Sequence, residues 1–263
     1  MSVTTSCDPL ARRFASLAGA GRRALVTYMT AGHPDPVRSV ELMRALEAGG
    51  ADVIEVGVPF SDPMADGPVI QRSSQRALEH GVGLDGALAL VREARLSVPV
   101  VLFSYLNPVL AAGTDVLGRA AAAGVHGLLL TDLPVGADPV REAWVGEGPL
   151  AFVRLVAPTT PLERMREIAR HGRGFVYLIS RLGVTGMQRD VARDLPETVA
   201  RLRAATTLPI CVGFGVSNGE QAQAIGRLAD GIVVGSAIVQ AAETGIDAAH
   251  ALTVELRQAL DAL

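Results

Sequence analysis

Eight short apolar runs recur along the chain, each separated from the next by a stretch long enough for a helix. They are ALVTYMT (24–30), DVIEVGV (52–58), PVVLFSY (99–105), GLLLTD (127–132), LAFVRLVA (150–157), GFVYLIS (174–180), PICVGFG (209–215) and DGIVVG (230–235). None alternates cleanly between apolar and polar residues. That pattern suits strands covered on both faces, as in a parallel sheet. Between the runs, Pro36–Ala48 sets Val37, Val40, Leu42, Met43 and Leu46 against Arg38, Glu41, Arg44 and Glu47. Pro161–His171 and Leu195–Ala205 have the same amphipathic character. Asp35-Pro36 and Thr160-Pro161 predict an N-cap followed by proline in the first helical turn. A further helix near Asp8–Leu17 precedes the first run, and the long stretch from Pro59 to Pro99 holds two helical segments.

Regular strand-helix alternation makes either a closed barrel or a doubly wound sheet. Periodicity does not choose between them, but the count of eight favours an α/β fold of the (β/α)8 barrel type, a TIM barrel, with an extra N-terminal helix. Such a barrel takes about 250 residues, and this chain has 263. No low-complexity linker interrupts the pattern, so residues 1–263 are expected to form a single domain.

Composition narrows the functions. The net charge is −3 and no basic run could grip a phosphate backbone, so no nucleic-acid partner is expected. No apolar run approaches the ~20 residues that span a bilayer, and MSVTTSCDPL lacks a signal-peptide layout, so no membrane contact is expected. Cys7 lies in a polar stretch and Cys211 in an apolar strand, which predicts no bridge and a cytoplasmic location. The five histidines are scattered without zinc-like spacing, so no metal site is expected. All 24 basic residues are Arg. Without lysine, no lysine imine can form on this chain, with substrate or with pyridoxal phosphate.

Five segments could carry chemistry. Glu55 stands between Ile54 and Val56 inside an apolar strand. Burial would raise its pKa and suit it to acid-base work, or it could be a structural carboxylate bonded to a neighbouring strand. The following loop, GVPFSDPMADGPVIQ, is stiffened by three prolines and carries Asp62 and Asp66, each of which could be an acid, a base or a turn cap. Strands seven and eight end in GFGVS (213–217) and GS (235–236). Glycines at these two ends let backbone N–H groups approach an anion, and this rim position is the usual phosphate site of the barrel. The loop SRLGVTGMQRDVARDLPET after strand six has the length of a lid over substrate.

Taken in order, ADVIEVGVPFSDPMADGP, YLISRLGVTG, VGFGVS and VVGSAIV, supported by YMTAGHP and VAPTTP, resemble the alpha subunit of tryptophan synthase from about Phe14 to Leu263. The first motif is the most specific, holding two carboxylates eleven residues apart. The resemblance implies a lyase that splits indole-3-glycerol phosphate into indole and glyceraldehyde 3-phosphate. It implies that Glu55 protonates the indole ring carbon and takes the hydroxyl proton, that Asp66 accepts the indole N–H, that Thr185 on the lid meets Asp66 on closure, and that Tyr177 shapes the site. Gly186, Gly215, Gly235 and Ser236 would hold the phosphate, and Tyr28, Phe103, Leu129 and Thr131 fall where the family lines its indole pocket, though barrel packing would place them there equally. No cofactor is implied on this chain. Pyridoxal phosphate belongs to a beta subunit, the expected partner in an alpha2beta2 heterotetramer. Asp62, Pro63, Asn107 and Pro134, on the loop after strand two and the turns after strands three and four, match the partner-facing positions.

The chain departs from the family at Leu182, where a small or polar residue is common, at Phe175, where some relatives have Tyr, and at His33, where Asp is frequent. None of these touches the two carboxylates. A free-standing lyase of a secondary pathway, a different phosphate-binding barrel and a silent activator of a beta partner are the alternatives. The GVPFSDPMADGP loop argues against the second, and intact Glu55 and Asp66 against the third.

Overall fold

The computed structural model describes residues 8–179, 189–213 and 215–263. Eight parallel strands close a barrel in sequence order, with β8 hydrogen-bonded back to β1. They are β1 (Ala24–Thr30), β2 (Val53–Gly57), β3 (Val100–Ser104), β4 (Gly127–Leu130), β5 (Ala151–Val156), β6 (Val176–Ile179), β7 (Ile210–Gly213) and β8 (Gly231–Val234). Helix α1 (Pro9–Gly19) precedes the barrel. The helices between strands are α2 (Pro36–Ala48), α3 (Pro68–Glu79), α4 (Leu84–Ala94), α5 (Leu106–Ala111), α6 (Val116–Ala122), α7 (Pro139–Gly146), α8 (Leu162–Arg170), α9 (Arg189–Ala205) and α10 (Gly219–Gly226). After β8 come α11 (Ser236–Thr244) and α12 (Ile246–Asp261). No helix among the described residues is long and apolar enough to cross a membrane.

The strand period of two divides the core into two shells. Leu25, Ile54, Leu102, Leu128, Phe152 and Ile232 face outward and pack with helix residues such as Met43, Leu46, Leu88 and Leu256. Their neighbours Ala24, Val26, Val53, Val101, Leu129, Ala151, Val153, Cys211 and Val233 form the inner shell.

Helix α1 closes the N-terminal end of the barrel. Asp8 caps it, accepting from the Leu10 and Ala11 amides at 2.9 and 3.3 Å. Its face of Leu10, Phe14 and Leu17 joins the inner shell. Leu10 fits because Gly127 and Gly174 lack side chains: a Cβ there would lie 2.7 and 3.1 Å from its Cδ1. Phe14 meets Phe175 with ring centroids 5.3 Å apart, so Phe175 belongs to this plug.

Two buried carboxylates are structural. Asp52, 1% exposed, accepts from Arg13 (2.6 Å), Arg257 (2.8 Å) and the Leu25 amide (2.8 Å), and so joins α1, β1 and α12. Glu142 on α7 accepts from Arg154 (3.2 Å) and from the Gly136 amide (2.7 Å). The Arg154 guanidinium lies 3.6 Å from the centre of the Phe152 ring and also donates to the Leu133 carbonyl at 3.1 Å, fixing the loop after β4.

Three local expectations need correction. Asp35 caps α2 as expected, accepting from the Arg38 amide at 2.9 Å. Thr160 does not cap α8: Pro161 is the N-cap residue, and the Thr160 hydroxyl turns back to accept from the Ala157 amide at 3.3 Å. Helix α9 begins at Arg189 rather than Leu195, so the second half of the expected lid loop is helical. It tolerates Pro196 inside because Leu195, Thr198, Val199 and Leu202 anchor it as a buried stripe. Asn107 sits in the first turn of α5, not in a turn between elements.

Candidate active site

The C-terminal rim gathers the chemistry. Glu55 is the middle residue of β2, in register with Tyr28 on one side and Val101 on the other, and it points into the barrel like Val53. It is 1% exposed, and neither carboxylate oxygen has a hydrogen-bond partner among the described residues. That rules against the structural alternative of a carboxylate bonded to a neighbouring strand. It also separates Glu55 from Asp52 and Glu142, whose oxygens are satisfied. Burial pushes the Glu55 carboxyl from its ordinary 4.5 up to about 8, so at neutral pH it holds a proton.

Asp66 lies in the loop from β2 to α3. Burial lifts its carboxyl to about 6, against the lowering effect of a hydrogen bond from Tyr105. Tyr105 is the functional residue that the sequence did not announce. Its hydroxyl donates to Asp66 Oδ2 (3.1 Å) and accepts from the Ala65 amide (2.9 Å), and its ring lies 5.0 Å from that of Phe60. From α3, Gln71 donates to the Asp66 carbonyl at 2.9 Å. Asp66 is thereby held from both flanks while Asp62 stays exposed, bonded to the Ser61 hydroxyl at 2.6 Å. Tyr105→Phe removes the side-chain donor that favours ionised Asp66. The acid limb of the pH–kcat/KM profile is expected to move up by about one unit. An unmoved limb would show that Tyr105 does not set the ionisation of Asp66.

The two other tyrosines use glycines on the next strand. A Cβ on Gly57 would lie 2.1 Å from the Tyr28 hydroxyl, and one on Gly213 would lie 2.3 Å from that of Tyr177. Tyr28 meets Phe103 edge to face at 5.3 Å. Burial is the main cause, and the nearby Glu55 carboxylate a further one, that holds the Tyr177 hydroxyl well above the ordinary tyrosine range. Leu129 is fully buried in the inner shell, in register with Phe103, and Thr131 Oγ1 is buried without a hydrogen-bond partner among the described residues.

Gly215 takes a left-handed φ of 81° after β7, which a side chain would strain. Gly235 is the N-cap residue of α11 and Ser236 its first residue. The first intrahelical bond runs from the Val239 amide to the Gly235 carbonyl at 3.1 Å. The amides of Ser236, Ala237 and Ile238 therefore project from the helix end, a geometry suited to an anion. Asp62, Asn107 and Pro134 are exposed and Pro63 half-buried, on successive connections of the same rim. Thr185 and Gly186, like Cys7, Leu182 and Gly183, lie outside the described residues.

The family model for "Tryptophan synthase alpha chain" matches residues 14–262. The chain is 49% identical over 259 residues to the tryptophan synthase alpha chain of Laribacter hongkongensis, covering 95% of this chain and 98% of that one. It is 43% identical over 253 residues to that of Synechococcus elongatus, covering 94% and 95%. Its fold is similar to the crystal structure of tryptophan synthase subunit alpha from Legionella pneumophila, with TM-score 0.89, 35% identity, and 97% and 99% of the two chains covered. A chain of Mycobacterium tuberculosis tryptophan synthase, in an aminoacrylate-bound form, gives TM-score 0.87 at 38% identity, covering 97% and 100%. With the family model matched over nearly the whole chain and relatives at 43–49% identity, the chain belongs to the tryptophan synthase alpha chain family.

Proposed function

We propose that this chain, as the alpha subunit of a tryptophan synthase, cleaves indole-3-glycerol phosphate to indole and glyceraldehyde 3-phosphate, with Glu55 and Asp66 as its catalytic carboxylates. The observation that carries the assignment is Glu55, a buried carboxyl whose oxygens no described group satisfies. Protonated Glu55 gives its proton to the ring carbon that bears the three-carbon chain. Ionised Asp66 accepts the ring N–H and stabilises the charge that develops on the nitrogen. The carboxylate left on Glu55 then takes the proton of the adjacent chain hydroxyl. The carbon–carbon bond breaks, its electron pair returns to the ring, and an aldehyde remains on the phosphorylated fragment. Glu55 ends protonated, as it began.

The Ser236–Ile238 amides with Gly215 and Gly235 support a role in holding the phosphate. Tyr28, Phe103 and Tyr177 wall the ring. Thr185 and Gly186 keep their proposed parts in closure and phosphate binding. Asp62, Pro63, Asn107 and Pro134 face a beta subunit in an alpha2beta2 assembly in the cytoplasm, and pyridoxal phosphate resides on that partner. The absence of lysine fits this division of labour.

The test is indole release from indole-3-glycerol phosphate, alone and with a beta subunit. Slow release that rises strongly with the partner is the expected result. Fast release alone would mark a free-standing lyase, and no release in either case would overturn the reaction.

A further inference from the structure

A chain of hydroxyls leads away from the site. Tyr28 Oη lies 3.4 Å from Thr30 Oγ1, Thr30 Oγ1 lies 2.6 Å from Ser73 Oγ on α3, and Ser73 Oγ donates to the Ile70 carbonyl at 2.8 Å. A hydroxyl has one proton. The Ser73–Ile70 bond is made by the Ser73 proton, because a carbonyl can only accept. With that donation made, Thr30 donates to Ser73 and Tyr28 to Thr30. Thr30 and Ser73 are 1% and 0% exposed, so water does not compete for these bonds. The Tyr28 ring is fixed as well, edge-on to Phe103, with its hydroxyl in the notch left by Gly57.

We propose that Thr30 and Ser73 are positioning residues that turn the Tyr28 proton away from the reaction space, so that Tyr28 meets substrate as a hydrogen-bond acceptor. The inference rests on the proposed cleavage reaction. With Asp66 placed for the ring N–H, the donor left for Tyr28 is a hydroxyl of the substrate's three-carbon chain. Without the Ser73 hydroxyl, the Thr30 proton is free to point at Tyr28. The phenol then presents its own proton to substrate, and the acceptor is lost although Tyr28 is unchanged.

The experiment compares Tyr28→Phe, Ser73→Ala and the double variant in kcat/KM for indole-3-glycerol phosphate. Each is also titrated with an indolylpropyl phosphate that lacks the chain hydroxyls. Each single change is expected to lower kcat/KM by about tenfold, the kinetic size of one ordinary hydrogen bond. The double variant should fall no further than the worse single, because both remove the same bond. Affinity for the deoxygenated ligand should stay within about twofold of the unchanged chain, since the lost bond has no counterpart there. Thr30→Val, close to isosteric, should repeat the Ser73→Ala result. Multiplying losses in the double variant, or full activity in Ser73→Ala, would overturn the inference. So would a parallel loss of affinity for the deoxygenated ligand, which would mark a packing effect. A wild-type chain that releases no indole would instead remove the reaction on which the inference rests, and that is seen before any variant is made.

Discussion

Replacing Glu55 by glutamine is expected to lower indole release by about 10³-fold or more while the barrel stays folded. Glutamine matches the protonated side chain in size but can neither give a proton to the ring carbon nor take one from the hydroxyl. The same change has a signature in stability. The folded protein holds the Glu55 proton up to about pH 8, whereas the unfolded chain releases it near the ordinary 4.5. Between those values the native state binds more protons than the unfolded state, so the contribution of Glu55 to stability falls as pH rises and levels off above about 8. Denaturant midpoints at pH 5 and pH 8 should therefore differ less in Glu55→Gln than in the unchanged chain. In kcat/KM, activity needs Asp66 ionised and Glu55 protonated, which gives a bell with limbs near 6 and 8. A Glu55→Gln protein that keeps most of its activity would end the acid-base assignment.

Asp52→Ala is expected to cost about 3–5 kcal/mol of stability, the size of a buried ion pair broken on one side. In a domain of this length that lowers Tm by roughly 10 °C. The change takes from Arg257, 8% exposed at its side chain, its buried partner, leaving it Asp261 at 2.8 Å and the Arg23 carbonyl at 3.0 Å; it strands the buried Leu25 amide and releases Arg13 of α1. The active rim lies at the opposite end of the barrel, so kcat at low temperature should hold. Thermal unfolding followed by circular dichroism, with indole release at 20 °C beside it, checks both halves. A Tm within about 2 °C of the unchanged chain would mean that Asp261 and the Arg23 carbonyl suffice for Arg257.

The strands were legible because a strand buried on both faces must be apolar throughout, and ALVTYMT coincides with β1 residue for residue. For the same reason Glu55 stood out: a carboxylate in such a run has to be explained. Tyr105 did not stand out, because an aromatic residue at a strand end looks like packing until the loop carrying Asp66 folds back onto it. Gly57 and Gly213 were equally silent. Their role depends on which tyrosine the neighbouring strand presents, a relation set by register and absent from local sequence. The start of α9 was missed because a proline at position 196 looks like a first-turn proline of a helix beginning at Leu195, and only tertiary burial of its stripe lets the helix run through it.

The seat of α1 also sets an order of assembly. Leu10 rests over Gly127 and Gly174, and Phe14 over Phe175, at positions more than a hundred residues further along the chain. During synthesis α1 emerges before any strand exists to receive it, and its seat is incomplete until the middle of the barrel has been made. The helix is thus made well before its seat, and its docking registers that the strands beneath it are in place.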